Sequence, residues 1–220
     1  ADQFDFESAL AGARLLHVSG ITPALGPNGA QMALAAARAA RAAGVPISFD
    51  GNYRAQLWAQ WDGNPQAILT ELVAMSSILF GNHRDISLLL GASFSGDGVG
   101  EKRRAAAAAF EAFPTLELIA STARDVVNAD CHNISARIDR RESSAQTEPI
   151  SVTGIVDRIG TGDAFAVGIL DGWINGCPDS LTAKSGLALA ALKHSLPGDM
   201  SVFTRDDLEG FEDGGFDVRR

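Results

Sequence analysis

The segment VDRIGTGDAFAVGIL, residues 156–170, reads as a strand ending at Asp157 and a turn made by Gly160, Thr161 and Gly162. An Ala- and Gly-rich helix opened by Asp163 follows. A strand that feeds a helix through a glycine turn is the building unit of a parallel α/β sheet. The first N–H groups of such a helix have no intrahelical partner and point outward. Together with the helix dipole they make a site for an anion. Gly160 and Gly162 lack side chains, so a phosphate can come close to the backbone. A carboxylate at the same turn can accept a proton from a substrate hydroxyl. Anion stabilisation and a general base then meet at one point, as phosphoryl transfer to an alcohol requires. Taken alone, the same residues also fit a capped helix after a tight turn, because short glycine motifs recur widely.

Upstream, short apolar runs alternate with helical patterns. LLHVSG (15–20), PISFD (46–50), SSILFG (76–81) and LELIAST (116–122) read as strands. Helices are expected from Asn28, as N-cap, to residue 43 with Gly44 closing it, and over residues 66–75, 84–91 and 101–113. The opening residues read as a helix feeding the first strand. Apolar strands alternating with helices predict a parallel sheet covered on both faces, with right-handed crossovers. After Thr122 the pattern changes. HNISARIDR (132–140) alternates with period two and ISVTGIV (150–156) is similar, which predicts an antiparallel edge. Two long helices, 162–175 and 180–196, precede a tail, TRDDLEGFEDGGFDVRR (204–220), with a short helix and a frayed end. No repeat or linker interrupts the pattern, so residues 1–220 read as a single domain.

With 220 residues, 46% hydrophobic and 20% charged, the chain has the profile of a globular protein with a real core. A net charge of -9 argues against a broad nucleic-acid or anionic-membrane surface. A few amides and arginines can still hold a small anion in an acidic protein. No apolar run is long enough to span a bilayer and no signal peptide stands at the front, so the cytoplasm is the expected location. Cys131 and Cys177 lie far apart, outside any metal-ligand spacing. Free thiols are the simpler reading and one disulfide the alternative. GDGVGEKR (96–103) is not a P-loop, because Lys102 lacks the preceding Gly and the following Ser or Thr. The three tryptophans read as packing residues.

DRIGTGDAF (157–165) resembles the C-terminal signature D-T-x-G-A-G-D-x-F of the ribokinase-like, PfkB-type sugar kinases, with Arg158 where many members carry Thr. SGITPAL (19–25), FDGNYRAQLW (49–58) and ALKHSLPGD (191–199) resemble further segments of that family, in the same order. With DRIG they point to its 2-keto-3-deoxygluconate kinase branch. The resemblance implies a ribokinase-like three-layer α/β/α sandwich, mostly parallel with an antiparallel edge. It implies an ATP- and Mg²⁺-dependent kinase acting on the terminal hydroxyl of 2-keto-3-deoxygluconate. Asp163 is then the catalytic base and substrate contact, and Gly160, Thr161 and Gly162 the anion hole. The alternatives are a kinase for fructose, ribose or a nucleoside, and a truncated, non-catalytic nucleotide-binding or interaction fragment. Exposed sheet edges leave room for a homo-oligomer.

Asp50, Asn52 and Arg54 follow the end of a strand, where open α/β sheets bind ligands. The resemblance puts Asn52 and Arg54 near the phosphates or the sugar acid, whose carboxylate suits a guanidinium fork. GNHRD (81–85) resembles the family's N-x-x-E motif, with Asp85 in place of Glu. Asn82 and Asp85 then organise phosphates and Mg²⁺, the latter through water. Helix capping by the same two residues is an equal alternative. Thr122 and Arg124 end a strand where the family contacts nucleotide, although its usual glycine-rich turn is absent. Lys193, His194 and Asp199 border the adenine and substrate pockets by resemblance. A single imidazole such as His194 more often serves packing, and Asp199 stands on a turn. Family members begin with strands, a glycine pair and a β-sheet lid that this sequence does not show. The expectation is therefore a C-terminal portion that is, by itself, a poor kinase.

Overall fold

The sheet begins with a row of apolar residues. Val18 lies opposite Phe49, Phe49 opposite Leu79, and Leu79 opposite Ile119, and all four are buried. Such a row suits parallel strands covered on both faces. The computed structural model describes residues 4–212. The described residues fall into two compact units, 4–120 with 139–143 and 121–138 with 144–212.

The first unit opens with α1 (Phe6–Leu10), β1 (Leu16–Ser19) and α2 (Ile21–Ala24), and continues through α3 (Pro27–Ala42), β2 (Ile47–Asp50), α4 (Ala55–Trp58) and α5 (Pro65–Ala74). β3 (Ile78–Phe80), α6 (His83–Leu90), α7 (Gly98–Ala112) and the start of β4 (Leu118–Asn128) complete it. β1 to β4 pair in parallel. α3 buries Ala30, Ala33, Ala37 and Ala40 at helical spacing. Its start differs from the expected one. Gly26 precedes the helix and Pro27 is its first residue, so Asn28 lies inside the first turn. Proline is pre-shaped for that position and loses no hydrogen bond there. Trp58 is buried and stacks on Trp61, with ring centroids 5.4 Å apart at 25°. The Trp61 Nε1 donates to the Ala24 carbonyl at 3.1 Å. Arg141 donates to the carbonyls of Phe110 and Pro114 at 2.7 Å each, satisfying groups that the end of α7 leaves open.

The second unit holds the rest of β4, then β5 (Cys131–Asp139), β6 (Ser144–Gln146), β7 (Ile150–Thr153), α8 (Thr161–Ile174), α9 (Asp179–Lys193) and α10 (Arg205–Glu212). β7 runs antiparallel to β5, with His132 opposite Val152. Among the described residues, seven strands make one mixed sheet in the order β1-β2-β3-β4-β5-β6, with β7 on β5. The expected parallel sheet with an antiparallel edge is therefore observed. β4 runs past the expected end at Thr122, β6 was not foreseen, and the strand expected over 150–156 stops at Thr153, so Asp157 stands in a loop. The frayed tail end, residues 213–220, lies outside the described residues. Cys131 and Cys177 are free thiols. Among the described residues no helix is long and apolar enough to cross a membrane.

Candidate active site

In the second unit the signature segment becomes a loop and a helix start. Gly160 precedes α8 with φ +76°, a conformation that favours glycine. A Cβ there would also stand 2.5 Å from the Asp199 carbonyl oxygen. The Thr161 hydroxyl donates to the Arg158 carbonyl at 3.0 Å, and the Ala164 amide to the Gly160 carbonyl at 2.9 Å. The amides of Gly162 and Asp163 find no backbone acceptor among the described residues, and the space beside Gly162 is open. Asp163 is the third residue of α8 and exposed. This end of the helix can hold an anion and offers a carboxylate beside it.

The loop before the helix is tightly held. Asp157 Oδ1 accepts the amides of Arg158 at 2.6 Å and Ile159 at 3.0 Å, and Oδ2 accepts the amide of Gly198 at 2.9 Å. These bonds, the one from Ile159 foremost and then that from Gly198, hold the carboxyl below its ordinary range. The His194 carbonyl accepts the amides of Val156 at 2.9 Å and Asp157 at 3.2 Å. The His194 ring is buried, with Nδ1 2.7 Å from the Ala190 carbonyl oxygen. It meets His132 edge to face at 6.3 Å. Burial pushes both imidazoles below their usual range, and the charges of Arg124 and Arg158 add to it. His132 Nδ1 has no hydrogen-bond partner among the described residues. Lys193 is fully buried and its ammonium donates to the Leu196 carbonyl at 2.9 Å. The side chains of Lys193 and His194 thus face protein, whereas Thr122, Arg124 and Asp199 are exposed.

The first unit gathers a second group at the C-terminal ends of its strands. Asn52 has φ +35°, a region that Asn tolerates better than most residues. Its amide donates to Ser19 Oγ at 3.4 Å. Arg54 is exposed, and its guanidinium donates to the Tyr53 carbonyl. Asn82 and Asp85 form a complete capping box on α6, in which the Asn82 amide donates to Asp85 Oδ2 at 2.8 Å. Asp85 is packed under Gly51 and Gly81, and burial raises its carboxyl pKa. One of its oxygens is committed to the cap. That fits a cation carried by nucleotide phosphates and reached through water, rather than one caged by protein oxygens.

The sequence alone did not disclose the Asp157–Gly198 bond or the burial of Lys193. The available signal was an Asp followed by a glycine turn, a pattern in which the carboxylate takes the next amides.

The sequence profile of the pfkB family carbohydrate kinases matches residues 1–204. The chain belongs to this family. Among curated relatives, the 2-dehydro-3-deoxygalactonokinase of Haloferax volcanii is 31% identical over 205 residues, 92% of this chain and 58% of the relative. The 2-dehydro-3-deoxygluconokinase of Bacillus subtilis is 28% identical over 197 residues, 89% of this chain and 55% of the relative. The pfkB chain thus spans a little over half the length of these relatives. The crystal structure of the 2-dehydro-3-deoxygluconokinase of Thermotoga maritima matches with a TM-score of 0.88 and 30% identity, covering 97% of this chain and 64% of that one. A fructokinase from Xylella fastidiosa with bound ATP matches at a TM-score of 0.67 and 20% identity, covering 90% and 60%. That last likeness speaks for the fold alone, which is the ribokinase-like α/β fold.

Proposed function

We propose that the chain is the nucleotide-binding and catalytic portion of an ATP-dependent sugar-acid kinase, with 2-keto-3-deoxygluconate as its substrate. The observation that carries this reading is the start of α8. Two amides without backbone acceptors stand beside an exposed carboxylate, behind a glycine turn that leaves room for a phosphate. In this reading Asp163 takes the proton of the terminal hydroxyl as that oxygen bonds to the γ-phosphorus. The bond from the γ-phosphorus to the bridging oxygen breaks, and ADP leaves. The turn of Gly160, Thr161 and Gly162 steadies the charge on the transferring group.

Arg54 suits the sugar carboxylate and Arg124 the nucleotide phosphates, because each guanidinium offers a planar fork of donors. Asn52 and Asn82 lie at strand ends that suit phosphate contacts, Thr122 flanks the nucleotide, and Asp199 borders the sugar beside Gly160. Asp85 would hold, through water, a Mg²⁺ carried by the nucleotide, and that ion would supply the positive charge that neutralises the phosphates. The names of the Haloferax, Bacillus and Thermotoga relatives support a 2-keto-3-deoxy sugar acid over a neutral sugar.

The test is ATP-dependent phosphorylation of 2-keto-3-deoxygluconate, its galactonate epimer, fructose and ribose. It compares this chain with a version extended by the segment through which its relatives are longer. Preferred turnover of a sugar acid is the expected result. Preference for fructose or ribose would overturn the substrate assignment, and folding with ATP binding but no turnover would favour a binding module.

A further inference from the structure

We propose that Asp157 and Lys193 are paired positioning residues that set the geometry of the anion hole without touching the substrate. The proposal rests on the kinase reading above. Both residues belong to the second unit, and neither has a surface role. Both oxygens of Asp157 are taken by amides, so the carboxylate is spent on the loop. Lys193 is fully buried, so its ammonium reaches no ligand. A buried ammonium is costly unless it is partnered. Its hydrogen-bond partner is the Leu196 carbonyl at 2.9 Å.

The two charges grip one turn, residues 196–199, from two ends. Lys193 holds it at Leu196 and Asp157 holds it at Gly198. That turn in turn abuts the anion hole, because the Asp199 backbone lies where a side chain on Gly160 would be. Asp157 also fixes the amides just before Gly160. The position of the Gly162 and Asp163 amides therefore depends on a clamp whose halves are far apart in sequence. A displacement of about 1 Å at a reacting centre can cost on the order of 10²-fold in rate. Asp157→Asn keeps the shape but turns one acceptor into a donor that faces the Gly198 N–H. Lys193→Met keeps the stem and leaves the Leu196 carbonyl without its donor.

The experiment uses both single variants and the double variant, in the chain that shows turnover. Each single variant is expected to lower kcat about 10- to 100-fold with little change in the KM for the sugar. The double variant should be no worse than the poorer single one, because both break the same clamp. In parallel, inorganic phosphate is titrated while the amide resonances of Gly160, Gly162 and Asp163 are followed. These should shift in the wild type and stay still in Asp157→Asn. Unchanged kcat with intact phosphate shifts in both variants overturns the proposal. So do losses that multiply in the double variant and come with raised KM and broadened resonances across the whole second unit, which would mark a merely structural role. Wild-type resonances that ignore phosphate overturn it too, since no anion hole is then present. If phosphate moves them only in the wild type, yet no tested sugar is turned over, the clamp stands and the kinase reading falls.

Discussion

Asp163 has the simplest environment of the residues that matter. It is exposed, third in its helix, and flanked by glycine. If it is the general base, Asp163→Asn should lower kcat by about 10²- to 10⁴-fold while ATP affinity, followed by calorimetry, stays near wild type. Equal loss of both would make Asp163 a binding residue instead. This part of the site was legible in the sequence because its information is local: two glycines, a Thr and an Asp in one turn. The bond from Asp157 to the Gly198 amide was not, because it joins segments that no local pattern relates. Lys193 was expected beside a ligand pocket by resemblance, and in the structure its ammonium donates to the Leu196 carbonyl of its own chain. For Asn82 and Asp85 the sequence left two roles open, and the capping box is in place in the structure.

At the level of elements, α8 is set by how closely α9 can approach it. A Cβ on Gly168 would lie 2.6 Å from the Gly186 Cα, and one on Gly172 would lie 2.4 Å from Thr182 Oγ1. The two helices therefore meet backbone to backbone at the first of these points. Gly168→Ala should force them apart, costing about 1–3 kcal/mol despite the better helix propensity of Ala. A lower thermal midpoint and reduced turnover would show it, because the N-terminus of α8 would shift with the helix. An unchanged midpoint would mean the pair yields without cost. The sequence showed both helices clearly, with starts within a residue of those observed, since apolar spacing survives without context. It did not show which glycines face one another. The length of β4 was hidden for a related reason. Residues 122–128 are exposed and carry no buried face to imprint a pattern, so their strand state comes from pairing with β5.

Within the second unit, acid should be the weak side. His132 and His194 are held below the ordinary imidazole range, mainly by burial, and Asp157 below the ordinary carboxylate range, mainly by amide hydrogen bonds. In each case the unfolded chain binds protons that the folded chain refuses, so stability falls as pH drops. The two imidazoles give a loss that begins below about pH 6.5, and Asp157 adds a second below about pH 3.9. Melting midpoints against pH should be level above the first value as far as these groups are concerned, and should decline beneath it. His132→Phe removes an unpartnered buried nitrogen and should make the first decline shallower, with His194 as its remaining source. A first decline of unchanged depth would assign the acid sensitivity to other groups.

The Trp58–Trp61 stack gives the protein an optical label. Two indoles 5.4 Å apart and inclined at 25° couple their electronic transitions and produce a paired circular-dichroism band that a lone indole does not. The remaining tryptophan, Trp173, belongs to the second unit. The couplet therefore tracks the folding of the first unit alone, and its loss can be timed against the backbone signal to see whether the two units come apart together.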